Sequence, residues 1–232
     1  MGAVAIIPAR GGSKRIPGKN LKLFNGLPMI AWSIRAARAA GCFARVVVST
    51  DSPAIAEVAL AEGAEVPFMR PAALADDYTS TLAVVCHALE QLPSAELACC
   101  LYATAPLVQP RYLREGLSTL QAHPGSAYAF SVCSFGFPVQ RALVLNGAGA
   151  VQAMYPEFRN TRSQDLPTAY QDAGQFYWGR REAWLGGEVI FSAASRPVVL
   201  PRHLVQDIDT DEDWLRAEWL HRALLASGQG LP

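Results

Sequence analysis

With 232 residues, the chain is long enough to bury a substantial core as one α/β domain and short for two ordinary domains. Hydrophobic residues make up 51% and charged residues 17%, with 20 Lys and Arg against 20 Asp and Glu, which excludes a disordered chain and a broadly nucleic-acid-binding one. No apolar run reaches membrane-spanning length and Ala3–Pro8 is too short for a signal peptide's apolar region, so a cytoplasmic protein with no membrane partner is expected.

In chain order, Ala3–Pro8, Ala44–Ser49, Val66–Met69, Leu97–Tyr102 and Ala127–Val132 are short apolar or β-branched runs bounded by loop residues. Strands covered on both faces of a parallel sheet read this way. Helical stretches lie between them at Pro28–Ala40, Pro53–Glu62, Thr79–Gln91 and Pro110–Ala122, ending near Gly41, Gly63, Pro93 and Pro124. Such alternation predicts right-handed βαβ units in a doubly wound, Rossmann-like, mostly parallel α/β sheet, with its ligand crevice beyond the carboxyl ends of the strands. From 135 to 173 the pattern decays into Pro-, Gly- and polar-rich text around a turn-like "NGAG", which is expected to be an inserted lid within a single domain, 1–232. Strand-like text returns at Gln175–Trp178 and Pro197–Leu200. Thr210 is then placed to cap a helix over Asp211–Ala226, with Asp211 and Glu212 as its first-turn acids. The five cysteines lack metal-type spacing and mostly sit in apolar runs, which favours buried thiols.

Directly after the first strand, "ARGGSKRIPGKN" lets Gly11 and Gly12 bring backbone close to a ligand, while Arg10, Lys14, Arg15 and Lys19 surround it with charge. A polyphosphate suits that loop, although neither GxxxxGK[ST] nor GxGxxG is present. Far downstream, Asp207 and Asp209 stand two apart in what should be extended backbone, with both carboxylates on one side. Such a pair suits Mg²⁺, which takes one or two carboxylates and completes its octahedron with water and phosphate oxygens. "STD" (Ser49–Asp51), "MRP" (Met69–Pro71) and "YATAPL" (Tyr102–Leu107) put three polar turns at the expected ligand edge. Arg70 there wants an anionic or planar partner, and Thr79, Ser80 and Thr81 serve either as ligand hydroxyls or as helix caps. The four histidines show no ligand spacing, and no GxSxG or Cys/His nucleophile pattern is found.

The stretches "IIPARGGSKRIPGKN", "VVVSTDSPAIAEVALAEGAEVPFMRP" and "VQDIDTDEDW" closely resemble the cytidylyltransferases that activate nonulosonic acids, the group containing CMP-sialic acid synthetase, and the similarity runs almost end to end. Within that group, "LYATAPL", "AFSVCSFGFPVQRAL", "NTRSQDL", "DAGQFYWG" and "LPRHLVQDIDT" look most like the members acting on pseudaminic acid, which supply surface or flagellin glycosylation. The resemblance implies that Ala9, Arg10, Gly11, Gly12, Ser13, Lys14, Lys19 and Asn20 cradle the CTP phosphates. Arg70, Ser80 and Thr81 would hold the cytidine half, and Asp207 and Asp209 would bind Mg²⁺. It places Tyr102, Gln140, Arg141, Arg162, Gln164, Asp172, Gln175 and Tyr177 around a nine-carbon 2-keto sugar acid, and it implies a homodimer formed through the irregular middle region. The group's sialic-acid enzymes commonly carry Gln where this chain has Tyr102 and Ser where it has Thr81, which counts against sialic acid itself; N-acetylneuraminic and legionaminic acids are the nearest alternatives. A non-catalytic nucleotide-sugar binder is the alternative of another class; it has no obvious need for the aspartate pair.

Overall fold

The computed structural model describes residues 2–228. The chain runs through β1 (Val4–Pro8), a two-stranded ribbon of β2 (Leu23–Phe24) and β3 (Leu27–Pro28), α1 (Met29–Ala40), β4 (Arg45–Ser49), α2 (Pro53–Ala61) and α3 (Thr81–Glu90). There follow β5 (Leu97–Leu101), α4 (Pro110–Ala122), β6 (Tyr128–Ser134), a hairpin of β7 (Leu143–Leu145) and β8 (Val151–Ala153), β9 (Tyr170–Arg180), α5 (Arg181–Leu185), β10 (Ser195–Val199) and α6 (Asp211–Ala226). Six strands form one sheet in the order β10-β6-β9-β5-β1-β4. Only β9 runs against its neighbours β5 and β6, so the doubly wound, mostly parallel α/β arrangement is the one observed.

Side-chain alternation divides the core into two layers. Ala5 and Ile7 of β1 face a cluster with Ile30 and Ile34 of α1 and Leu113 and Leu120 of α4. Val4 and Ile6, on the other side of the same strand, join Val85 and Leu89 of α3 and Trp184 of α5. Both faces are thus covered, which is why these strands carry unbroken apolar runs. Packing is tight where aromatics cross glycine: a Cβ on Gly179 would lie 2.4 Å from the Trp184 indole nitrogen.

Helix ends follow their residues. Gly41 ends α1 in the left-handed region at φ 64°, and Ser80 Oγ accepts from the Ala83 amide to start α3. Thr210 caps α6 and Asp211 and Glu212 stand in its first turn, as expected; the reciprocal capping partner is Asp213, the N3 residue, whose side chain reaches back to the cap amide.

Three elements differ from expectation. Val66–Met69 is not a strand; only Glu65 bridges Val47, and Pro67, lacking an N–H, releases the chain from the sheet edge. Strand β9 begins at Tyr170, upstream of Gln175, because its exposed first residues lack an apolar signature. Helix α5 follows β9 with no intervening loop text and was not anticipated. The insertion therefore spans 135–169, leaving the sheet at Ser134 and returning beside it at Tyr170. Its hairpin forms around the "NGAG" turn as expected, with β7 exposed at every position.

Candidate active site

The carboxyl ends of β1, β4 and β5 open onto a cleft of about 370 Å³ lined by Arg10, Arg15, Lys19, Asn20, Arg70, Thr79, Thr81, Tyr102, Asp207 and Asp209. A second cleft, of about 490 Å³, lies on the far side of the two aspartates, which line both; Gln171, Asp172, Arg202, Gln206 and Arg216 complete it. Residues separated by nearly the whole chain therefore meet at one edge, the edge at which a doubly wound sheet binds ligands.

The loop after β1 is held between two acids. Arg10 donates to the Asp76 carbonyl at 2.7 Å and pairs with Asp77 at 2.6 Å, and Lys14 pairs with the same carboxylate. On the other flank Lys19 donates to the Ile208 carbonyl at 2.5 Å and sits 3.7 Å from Asp209, which also pairs with Arg15. Asn20 braces the loop by donating to the Arg10 carbonyl at 3.0 Å, and the Gly11 amide donates to Asp51 at 2.9 Å. A Cβ on Gly11 would lie 3.1 Å from Ser52 Cβ, so glycine lets this loop pass close to the start of α2.

Charge and burial work against each other here. Desolvation pulls the Lys19 ammonium below the usual lysine range, although Asp209 opposes it. Burial, and then the nearby Asp209 carboxylate, push Asp207 up, so a cation beside the pair relieves a real electrostatic cost. Hydrogen bonds from Lys14 and Arg10 hold Asp77 below the usual carboxylate range. Arg70 is 6% exposed; Nε and Nη2 make no hydrogen bond, Nη2 lies 4.0 Å from the Asp51 carboxylate, and Nη1 is 3.4 Å from the Leu74 carbonyl. Unpaired N–H groups on a buried cation demand an acceptor, and the planar guanidinium at the cleft wall can meet the acceptor edge of a base.

The two aspartates fit a hard divalent cation. Among the described residues no group of three or more His, Cys, Asp and Glu forms a cage, so this pair would be the ion's only carboxylate ligands.

Several expected site residues lie elsewhere. Ala9 is core, its amide donating to the Ser49 carbonyl. Ser80 is spent as the α3 cap, and it is Thr81 that reaches the cleft. Gln175 is buried and donates to the Leu204 carbonyl at 2.5 Å, bracing the segment before Asp207. Gly11, Gly12, Ser13 and Lys14 form the outer part of the loop and do not line the cleft walls. In the insertion, Gln140 donates to the Pro167 carbonyl, Arg141 to Ser163, and Arg162 to Asp165. Together with Gln164 they line neither cleft of this chain; of the insertion only Gly136 does. Tyr102 lines the first cleft, Asp172 the second, and Tyr177 joins them, donating to Asp172 at 2.5 Å. Arg15, Asp77, Arg202 and Arg216 are cleft residues that sequence reasoning did not assign. Arg15 belonged to the visible basic cluster; the others carried no pattern.

A cationic loop after the first strand of a doubly wound sheet, with a carboxylate pair in the same cleft, is the arrangement a nucleotidyltransferase needs. The comparisons agree: the cytidylyltransferase family model matches residues 4–206, and the chain belongs to that family. It is 45% identical over 223 residues to a pseudaminic acid cytidylyltransferase of Campylobacter jejuni, covering 94% of this chain and 96% of that protein. It is 30% identical over 225 residues to a CMP-N,N'-diacetyllegionaminic acid synthase of Legionella pneumophila, covering 95% and 96% respectively. Among solved structures, a CMP:2-keto-3-deoxy-manno-octonic acid synthetase complexed with CTP superposes with a TM-score of 0.72 at 20% identity, over 98% of this chain and 100% of that one, which shows the shared fold. The protein is a CTP-using nucleotidyltransferase.

Proposed function

We propose that this enzyme transfers the cytidylyl group of CTP to pseudaminic acid, releasing diphosphate, and so supplies CMP-pseudaminic acid for surface or flagellin glycans. The observation that carries the reading is the pair of clefts meeting at Asp207 and Asp209: one is rimmed by phosphate-type cations, the other by Arg202 and Arg216, which suit a sugar carboxylate. The 45% identity to the Campylobacter enzyme supports pseudaminic acid over the alternatives.

In this reading Arg70 takes the acceptor edge of cytosine, while Arg10, Lys14 and Lys19 take the triphosphate. The phosphates displace Asp77 from Arg10 and Lys14 as they enter. Asp207 and Asp209 would hold Mg²⁺, which when bound would supply positive charge to the triphosphate. The anomeric hydroxyl of the sugar acid attacks the α-phosphorus in line, the new O–P bond forms as the bond to diphosphate breaks, and Lys19 offsets charge on the departing group. Such a reaction asks for positioning and electrostatics and needs no covalent nucleophile. No described helix is long and apolar enough to cross a membrane.

A homodimer completes the proposal. The insertion exposes Phe137 at 88%, Leu145 at 73% and Leu143 at 64%, more apolar surface than a three-residue ribbon of its own can bury. A second copy covering it would bring the insertion's Gln140, Arg141, Arg162 and Gln164 toward a neighbouring cleft.

The test is diphosphate release with CTP, Mg²⁺ and, separately, pseudaminic, N-acetylneuraminic and N,N'-diacetyllegionaminic acids. Turnover is expected with pseudaminic acid and at least tenfold lower kcat/KM with the others. Turnover with another acid and none with pseudaminic acid would overturn the substrate.

A further inference from the structure

The segment that carries the aspartate pair lies outside the sheet. Strand β10 ends at Val199, and from Gln206 to Asp209 no backbone group bonds to another backbone group among the described residues. Extended backbone with no ladder has nothing of its own to fix its position, and two like charges side by side push apart. Yet both carboxylates stand where the two clefts meet. Side chains hold them there instead.

Three side chains grip consecutive residues. Gln206 Nε2 donates to the Asp207 carbonyl at 2.8 Å. Lys19 Nζ donates to the Ile208 carbonyl at 2.5 Å, while the Ile208 side chain, 1% exposed, joins the cluster of Ile16, Phe24 and Trp214. Asp213, in the first turn of α6, accepts the Asp209 amide on Oδ2 at 3.2 Å, together with the Thr210 amide at 2.9 Å and the Thr210 hydroxyl at 2.7 Å. The first and last grips are tied to each other, because the Gln206 amide nitrogen has two hydrogens and also donates to Asp213 Oδ1 at 3.1 Å. Gln206 and Asp213 therefore form one brace, anchored on α6, that takes the carbonyl before Ile208 and the amide after it.

The bonding of Asp213 separates this role both from ligand binding and from capping. Oδ1 already has one donor and Oδ2 three, so the carboxylate has little left for a sugar hydroxyl although it lines the second cleft. A helix cap needs only the exchange with Thr210. The bonds to Asp209, and through Gln206 to Asp207, are surplus to capping and end on the two residues whose carboxylates line the clefts.

Resting on the assignment of Mg²⁺ to this pair, we propose that Asp213 and Gln206 are positioning residues that act through the backbone of Asp207 and Asp209, holding both carboxylates where one divalent cation can take them together. Groups that orient a metal's ligands typically account for roughly 10- to 100-fold in its affinity.

Calorimetric titration with CTP, once with Mg²⁺ and once with EDTA in its place, separates the metal's share of binding from the nucleotide's. Gln206→Ala removes the brace without touching α6. Asp213→Asn keeps an acceptor for the cap amide but turns N–H toward Gln206 in place of Oδ1. Asp209→Ala is the reference for loss of the site. Mg²⁺ is expected to tighten CTP binding to the wild type, and in each brace variant that gain should fall about tenfold. Metal-free CTP affinity should stay within about twofold and the melting temperature within a few degrees. Turnover of either variant should recover as Mg²⁺ is raised, which a merely structural defect would not do. If both variants keep the full gain while Asp209→Ala loses it, Asp213 is a cap only and the metal site stands without a brace. Equal losses with and without metal, or a change confined to the KM of the sugar acid, would also overturn the positioning role. If Mg²⁺ gives the wild type no gain, or Asp209→Ala keeps it, the metal assignment and the brace fall together.

Discussion

The half of the chain from β1 to α4 and the insertion at 135–169 use apolar residues in opposite ways. In the first, Ile6, Ile7, Val47 and Cys100 are fully covered, strands are sandwiched between helices, and polar residues are left for the loops at the strand ends. In the second, Leu143, Leu145 and Val151 stand in solvent on a ribbon too short to bury them. The first region, sealed by β9 and the helices, builds an edge on which charges can be placed; the second leaves apolar surface that the proposed second copy would cover. Disruptions in the two regions should therefore be felt in different measurements.

The largest effect belongs to the charged edge. Asp209→Ala and Lys19→Ala are each expected to lower kcat for diphosphate release by at least about 100-fold while moving the melting temperature by only a few degrees, since both side chains sit at the cleft and not in the core. A normal rate from Asp209→Ala at ordinary Mg²⁺ concentration would mean that the two aspartates are structural.

A smaller effect tests how tightly α6 seals this region. His221 is fully buried against Phe24 and Trp32, with Nε2 unpartnered, and burial lowers its pKa from 6.5 to about 4. The unfolded chain takes up a proton below about pH 6.5 and the native state only near 4, so stability falls as pH drops through that window and levels off below it. By denaturant unfolding, the wild type should lose about 2 to 3 kcal/mol more than His221→Phe between pH 7 and pH 4.5. Parallel losses would show that the ring titrates as if exposed.

In the insertion the expectation reverses. Leu143→Asp combined with Leu145→Asp should leave the melting transition nearly unchanged at low concentration, because β7 is exposed at all three positions. The same change should convert a two-chain particle into a one-chain particle by light scattering. A dimer that survives both aspartates would place the subunit contact elsewhere.

What could be read from the sequence follows the same division. Strands β1, β4, β5 and β6 were legible because double-sided burial writes itself as unbroken apolar text. Val66–Met69 imitates that text, yet Pro67 and the exposed Met69 belong to a loop. The far ends of the site, Arg10 with Lys19 and Asp207 with Asp209, were legible because clustered cations after a first strand and paired carboxylates have few uses. Ser80 and Gln175 were misplaced for the converse reason: hydroxyls and amides cap helices and brace loops as readily as they bind ligands. Arg202 and Arg216 were illegible because a single arginine declares its partner only once the fold brings two clefts together.

The central claim is that the loop after β1 and the aspartates before α6 hold two parts of one metal–triphosphate. Crystals grown with CTP and Mn²⁺ test it most directly, by anomalous diffraction from the metal. The account predicts a single strong peak between the Asp207 and Asp209 carboxylates, with triphosphate density against Arg10, Lys14 and Lys19 and Asp77 released from the loop. Triphosphate bound with the metal away from both aspartates, or with Asp77 still paired to Arg10 and Lys14, would contradict it.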